Sequence, residues 1–213
     1  MEPLVTVSAS YGAGGSVIAP RLADLLGLPL IDRLMSAQAS EDAAAAVRSE
    51  EGLTEEERAS IPAGRILSYF ARAASVGAML APETFVDDDD EALRQRCESA
   101  LAAVARGAGA VVLGRAGAVV LAERPRTLHV RLDGPVERRV PRAADIEAFD
   151  PAQAATRQVE TDKARTAFVK RLYRADPGDP RWYHLVLDTT VFHVDQAVDL
   201  VGRVARAFFA ANP

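Results

Sequence analysis

Three glycines near the start of the chain have the spacing of an anion-binding turn. They follow a short apolar run at Leu4–Val7 and precede apolar residues at helical spacing. A glycine-rich turn between a strand and a helix presents main-chain N–H groups at a helix N-terminus, where phosphate is held by the amides and the helix dipole. The predicted phosphate-binding residues are Gly12, Ala13, Gly14, Gly15 and Ser16.

This turn departs from the P-loop pattern G-x-x-x-x-G-K-[ST] at two positions. Ala9 stands at the first glycine, and Gly15 stands where the lysine is expected. Ser16 occupies the position of the hydroxyl that binds Mg²⁺, so it is the candidate metal ligand. A tight strand-to-helix turn that binds no ligand is the alternative interpretation of the same residues.

A basic helix near residue 170 is the second candidate. It contains both lysines of the chain, Lys163 and Lys170, with Arg171 and Arg174 in two clusters and Arg165 on a neighbouring face. A solvated basic face is the ordinary explanation for such a run. The concentration of both lysines favours a phosphate clamp on a mobile lid.

Charged residues also follow two apolar runs. Asp32 and Arg33 come after Leu28–Ile31, and Arg115 comes after the buried-strand pattern of Ala110–Leu113. Ligands bind at the carboxyl ends of strands in open α/β sheets, and the planar guanidinium suits phosphate. A helix cap with a solvated arginine, or an arginine paired with a helix carboxylate, would explain the same residues.

Strands and helices alternate along the sequence, which predicts a parallel α/β sheet. Five strands are predicted near Leu4, Leu28, Ala110, Leu128 and His184. The strand at Thr127–Leu132 contains His129, which we interpret as a core or edge residue. A helix carrying three arginines, Arg138, Arg139 and Arg142, is predicted to begin after Pro135.

Size and composition are those of an ordinary globular protein. The 213 residues are 49% hydrophobic and 26% charged, enough for one substantial core. The net charge of −5 argues against broad nucleic-acid binding, and the single Cys97 excludes an intramolecular disulfide. Because the sequence has no basic-then-apolar leader and no membrane-length apolar stretch, we expect a cytoplasmic protein that binds neither nucleic acid nor a membrane.

Four segments resemble the cytidylate kinase-like family, which is related to nucleoside monophosphate kinases. They read SASYGAGGSVIAPRLADLLGLPLIDR, VVLGRAGAVVL, TDKARTAFVKRLYRADPGDPRWYHLVLDTT and VDQAVDLV. The resemblance implies a three-layer α/β/α P-loop kinase-like fold with a parallel sheet of about five strands. It further implies a single domain over residues 1–213, with a helical NMP-binding insertion at residues 34–86 and a lid at residues 141–182.

The resemblance also implies ATP-dependent phosphoryl transfer to a nucleoside monophosphate, with CMP as the expected acceptor. ATP and Mg²⁺ would be the cofactors, and the loop Gly12–Ser16 would surround the donor phosphates. The acceptor nucleotide would face Asp32, Arg33 and Arg115, and the lid would supply the catalytic residues Lys163, Arg165, Arg171 and Arg174. Nucleotide substrates are the expected partners, and a homodimer is one possible assembly.

Two alternatives remain open at this point. Gly12, Gly14 and Asp32 partly match the fingerprint of NAD(P)-binding Rossmann oxidoreductases, although Val17 replaces the third glycine. The second alternative is a catalytically impaired nucleotide-binding or sensor protein on the kinase fold, because Ala9 and Gly15 depart from the P-loop pattern. Such a protein would bind nucleotide without producing ADP.

Overall fold

The computed structural model of the chain describes residues 2–32, 90–107 and 109–213. These residues belong almost entirely to one compact unit formed by residues 1–33 and 91–213. The helical insertion predicted at residues 34–86 and the predicted acceptor residue Arg33 lie outside the described residues.

The described residues form alternating strands and helices, as the sequence pattern predicts. The strands are β1 (Leu4–Ala9), β2 (Leu30–Asp32), β3 (Ala110–Leu113), β4 (Thr127–Asp133) and β5 (Leu185–Asp188). The helices are α1 (Gly15–Leu26), α2 (Asp90–Arg106), α3 (Gly117–Val120), α4 (Val136–Glu147), α5 (Pro151–Tyr173) and α6 (Val194–Ala211). Short 3₁₀ turns at Pro180–Trp182 and Thr189–Val191 flank β5.

All five strands are parallel and lie in the order β2-β3-β1-β4-β5. Parallel alignment brings the carboxyl ends of the strands to one edge, where open α/β sheets bind ligands. In the dinucleotide-binding fold the second strand lies beside the first. Here β3 lies between them, so the strand order argues against the oxidoreductase alternative.

Helices cover both faces of the sheet and produce three layers. On one face Ile18 and Leu22 of α1 and Val201 of α6 pack against β1, β3 and β4 in the larger core cluster. On the other face Leu101 of α2 and Leu121, just after α3, pack against Leu4 and β3. Strands buried on both faces need continuous apolar runs, which explains the sequences of β1 and β3.

Two element boundaries differ from the sequence prediction. Strand β2 begins at Leu30 rather than Leu28, because the Leu28 amide donates to the Ala23 carbonyl and completes the C-terminal cap of α1. Helix α5 begins ten residues before Thr161, at Pro151, where the Asp150 carboxylate accepts the Ala152 amide. An aspartate N-cap followed by proline is a strong helix start.

His129 is a core residue of β4, only 3% exposed. Its Nδ1 lies 2.7 Å from the Thr6 hydroxyl. Burial, with a smaller effect from His184, lowers the pKa of His129 to about 4, so the imidazole is neutral at neutral pH.

None of the helices in the described ranges combines the length and apolar character needed to cross a lipid bilayer.

Candidate functional site at the carboxyl edge of the sheet

The loop from β1 to α1 exposes main-chain donors at a helix N-terminus. The amides of Gly12, Gly14, Gly15 and Ser16 donate no hydrogen bond to any described residue, while the Ala13 amide closes a turn onto the Ser10 carbonyl at 3.1 Å. Gly14 and Gly15 are buried. N–H groups at a helix N-terminus that lack internal acceptors can donate to an anion, so this loop has the donor arrangement of an anion site.

Two glycines of the loop are required by their surroundings. Gly12 has φ 78°, and a Cβ there would overlap the Arg139 carbonyl of α4. A Cβ at Gly15 would lie 2.5 Å from the Cβ of Ala9. The loop therefore packs closely against α4 and against the end of its own strand.

Tyr11 attaches the loop to helices α4 and α5. Its amide donates to Asp162 Oδ1 of α5 at 2.8 Å, and its hydroxyl donates to Glu147 Oε2 of α4 at 2.7 Å. Its carbonyl accepts Arg139 Nη1 at 2.6 Å. Burial first, and the hydrogen bond to Glu147 second, raise the pKa of the Tyr11 phenol well above its usual value.

The Asp162 carboxylate is the centre of a cluster of donors. Its Oδ2 accepts Arg139 Nη1 and Gln158 Nε2, both at 2.9 Å. Arg165 Nη1 lies 3.8 Å from Oδ1 and donates to the Ala9 carbonyl at 2.8 Å. Asp162 therefore binds the loop to α4 and α5 at Tyr11, the residue before Gly12.

Two arginines of α4 face this loop in different ways. Arg139 is buried, and its Nε donates to the Gly134 carbonyl at 2.7 Å, so its charge is enclosed by acceptors and Asp162. Arg142 is partly buried and donates through Nη1 to the Thr189 carbonyl. Its Nη2 lies 3.1 Å from the position of a Cβ on Gly14. Burial lowers the pKa of Arg142, although it stays cationic at neutral pH.

The ends of β4 and β5 complete the edge. Burial alone would raise the pKa of Asp133, but the charge and hydrogen bonds of Arg131 hold it below its usual value. The hydrogen bonds of Asp188 to Thr190, with a smaller contribution from the nearby Arg138, lower the pKa of Asp188. The edge therefore carries ionised carboxylates that are already engaged with arginines or main-chain amides.

The structure brings some predicted site residues together and separates others. Arg165 contacts the strand that leads into the loop, and Ser16 is the second residue of α1. Arg115 donates to the main-chain oxygen of Asp32 at 3.2 and 3.3 Å, so these two predicted acceptor residues are neighbours. Four other cations of α5 and its cap are exposed: Lys163, Lys170, Arg171 and Arg174. Among these, Lys170 lies 3.6 Å from Asp176.

Sequence reasoning assigned no role to five residues that contact the loop or its attachments: Tyr11, Arg139, Arg142, Asp162 and Thr189. One signal was available for Asp162, which lies one helical turn before Arg165 and so shares its face. For α4, the signal was a helix with three arginines directly after a buried strand.

A metal centre built from protein side chains is absent from the described residues. No group of three His, Cys, Asp or Glu side chains there is arranged to hold a metal ion.

The sequence of this chain matches a known family over residues 4–191. The chain belongs to the cytidylate kinase-like family. The matched range contains the loop, the carboxyl edge of the sheet and both arginine-bearing helices, α4 and α5.

Two curated proteins match shorter parts of this family member. It is 36% identical over 108 residues to a uronate isomerase of Corynebacterium glutamicum, covering 51% of this chain and 20% of that protein. It is 35% identical over 75 residues to a cytidylate kinase of Methanopyrus kandleri, covering 35% of this chain and 39% of that protein. The alignments thus cover less than half the length of either relative.

Solved structures share the fold of this family member. An uncharacterized protein from Eubacterium ventriosum superposes with a TM-score of 0.64 at 17% identity, covering 96% of this chain and 99% of that one. A gluconokinase from Sinorhizobium meliloti superposes with a TM-score of 0.51 at 18% identity, covering 98% and 97%. The three-layer α/β fold with a five-stranded parallel sheet is therefore that of P-loop kinases.

Proposed function

We propose that this protein transfers the γ-phosphoryl group of ATP to a nucleoside monophosphate, with CMP as the acceptor. The observation that carries the proposal is the cluster of acceptor-free amides at Gly12, Gly14, Gly15 and Ser16, with the guanidinium of Arg142 against Gly14. Such a cluster suits a polyphosphate, because it supplies fixed donors and positive charge. Membership of the cytidylate kinase-like family supports the same reaction.

The loop residues would hold the donor phosphates. The main-chain amides of Gly12, Gly14, Gly15 and Ser16 would need no internal hydrogen bond to break before donating, since they have no acceptor among the described residues. The Ser16 hydroxyl would bind Mg²⁺ together with phosphate oxygens, because this ion usually keeps most of its ligands as water and phosphate. When bound, Mg²⁺ supplies neutralisation of charge on the transferring group.

Phosphoryl transfer asks the protein mainly for positioning and charge neutralisation. Arg165 is a candidate for both tasks, because its hydrogen bond to the Ala9 carbonyl fixes the guanidinium beside the loop. Lys163, Arg171 and Arg174 would act from the same lid helix when it closes over the nucleotides. Closure would exclude water, which otherwise competes with the acceptor.

The acceptor would bind at the ends of β2 and β3, where Arg115 contacts the main chain of Asp32. A guanidinium at this position suits the single phosphate of a nucleoside monophosphate. Arg33 is proposed to join them from the next position in the sequence. The choice of CMP is supported by the family and by the similarity to the Methanopyrus kandleri cytidylate kinase.

The test is calorimetric titration with ATP in Mg²⁺, followed by a coupled assay for ADP with CMP, UMP, AMP and GMP as acceptors. We expect ATP binding and the highest kcat/KM with CMP. Arg203→Gln, on the exposed face of α6, is the matched control and should leave both measurements unchanged. Absence of ATP binding would overturn the proposal.

A non-catalytic nucleotide sensor is the second candidate, and one observation favours it. Gly15 and Ala9 leave the loop without the side chain that usually reaches the β- and γ-phosphates. The sensor predicts that nucleotides raise the melting temperature while no ADP appears with any acceptor. Turnover with a nucleoside monophosphate would exclude it.

A further inference from the structure

The phosphate loop has a steric arrangement opposite to that of the P-loop pattern. In G-x-x-x-x-G-K-[ST] the first position lacks a Cβ and the seventh carries lysine. Here Ala9 carries the Cβ and Gly15 lacks one, and a Cβ on Gly15 would lie 2.5 Å from that of Ala9. The backbone of Gly15 is not left-handed, so the methyl of Ala9 is the specific obstacle to a side chain at this position.

Arg142 approaches the same loop from α4. Its Nη1 donates to the Thr189 carbonyl, and its Nη2 lies against Gly14, whose amide has no acceptor among the described residues. The Thr189 hydroxyl in turn donates to the Ala13 carbonyl at 2.7 Å, which ties the turn that holds Arg142 to the loop. The turn at Thr189 therefore holds the guanidinium beside the loop.

The charge of Arg142 differs from that of its neighbour Arg139. Arg139 forms an ion pair with Asp162 at 2.9 Å, whereas Arg142 forms no direct ion pair within the described residues and interacts only at longer range with the charge of Asp188. A partly buried cation whose anionic neighbour acts only at longer range has an incompletely balanced charge. Such a cation, beside main-chain amides that have no acceptor among the described residues, indicates that an anion completes the site.

We propose that Ala9 and Gly15 form a coupled pair that excludes the loop lysine, and that Arg142 contacts the donor phosphates in its place. This inference rests on the proposed function, because it assumes a polyphosphate in the loop. Arginine suits the role, since its planar guanidinium offers several donors and can contact two phosphate oxygens while Nη1 stays on Thr189.

The proposed coupling between Ala9 and Gly15 is tested by thermal unfolding, without any ligand. Gly15→Ala should lower the melting temperature markedly, while Ala9→Gly/Gly15→Ala should recover most of that loss because the second change removes the obstacle. Ala9→Gly alone is the second single variant of this double-mutant cycle. If the shifts in melting temperature caused by the two single changes add up to that of the double variant, the proposed coupling is wrong.

The charge half is tested by titrating ATP with Mg²⁺ into four proteins. Arg142→Gln should weaken ATP binding by about 10- to 100-fold, as expected for a lost charge-assisted contact. Ala9→Gly/Gly15→Lys should bind ATP at least as tightly as the original chain. Adding Arg142→Gln to that pair should then weaken binding less than about threefold, because the restored lysine substitutes for the arginine. Arg203→Gln is again the control for a lost surface charge.

The outcomes separate this inference from the proposed function. If the original chain binds ATP and Arg142→Gln binds it equally well, the inference is overturned and the proposed function stands. If Arg142→Gln weakens binding equally with and without the restored lysine, Arg142 does not replace it, and the inference again fails. If the original chain binds no ATP, the proposed function and the charge half fall together, whatever the unfolding cycle gives.

Discussion

Helices α4 and α5 both carry clustered positive charge, but they use it differently. In α4, Arg139 and Arg142 point into the protein, against the Tyr11 carbonyl and Gly14. In α5, Arg165 reaches the Ala9 carbonyl, while Lys163 and Lys170 are exposed. The more conspicuous basic run in the sequence is thus the more solvent-exposed one.

The difference shows how cations are held near the candidate anion site. Arg139 is 6% exposed at its side chain, a position that requires a partner, and Asp162 provides it from α5. That pairing also brings Arg165 close to the loop, since Asp162 and Arg165 lie one helical turn apart. One carboxylate therefore aligns cations from two helices.

The largest expected effect comes from removing the buried cation of α4. Arg139→Met should lower the free energy of unfolding by about 3 kcal/mol, because it removes the ion pair with Asp162 and the donor to two carbonyls. Urea unfolding of both proteins measures the difference. The matched control is Arg138→Gln, whose ion pair with Asp188 is 48% and 36% exposed and should contribute less than about 1 kcal/mol. Equal losses would contradict the contrast between inward and outward arginines.

Within α5, the contrast is between Arg165 and Lys163. We expect Arg165→Met to lower kcat/KM by about 10- to 100-fold, the range for a lost charge-assisted contact in a transition state, and Lys163→Met to lower it only about threefold. The structural reason is that Arg165 already contacts the strand before the loop, whereas Lys163 is exposed. Coupled-assay kinetics measures both variants, and a reversed order would show that the contact of Arg165 with the strand does not determine which cation contributes more.

Neutralising the shared carboxylate should have an intermediate effect. Asp162→Asn keeps an oxygen to accept the Tyr11 amide but loses the ionic contacts to Arg139 and Arg165. We expect a loss of about 1–2 kcal/mol in unfolding free energy. Amide exchange should become faster in α5 near Arg165, because the contact between helix and loop is weakened. Unchanged exchange would mean that apolar packing alone holds α5 to the loop.

The smallest effect is expected at the tyrosine that attaches the loop to α4. Tyr11→Phe removes the hydroxyl bond to Glu147 while the two main-chain contacts to Arg139 and Asp162 remain. The expected loss is about 1 kcal/mol, typical of one hydrogen bond. Thermal unfolding measures it. A loss as large as that of Arg139→Met would show that the hydroxyl, rather than the main chain, attaches the loop.

Much of the fold was predictable because its signals are local. Continuous apolar runs predicted the strands, and the glycines between β1 and α1 marked the turn. The contacts of α4 were not predictable, because the sequence does not distinguish its adjacent arginines. In the structure Arg138 is exposed and Arg139 is buried. Which side of a short helix turns inward depends on packing against a loop more than a hundred residues away in the sequence.

The lid and acceptor residues remain predictions for the same reason. Arg115 contacts Asp32 because their strands are neighbours in the sheet. The alternation of strands and helices predicts a parallel sheet but does not predict which strands are neighbours. The roles of Arg33, Arg171 and Arg174 depend on where a nucleotide sits, which no local pattern specifies. Asp162 is partly predictable: its spacing places it on the same helix face as Arg165, but its contact with Tyr11 is not visible in the sequence.

The hydrogen bond from Thr189 to the Ala13 carbonyl joins residues 176 positions apart. During synthesis the glycine turn leaves the ribosome well before Thr189, which fastens it. Because closing a chain loop of this length costs conformational entropy, a nascent chain would complete this attachment only after β5 and Thr189 have emerged. Shortened chains ending before that strand would present the glycine turn without the residues that complete it.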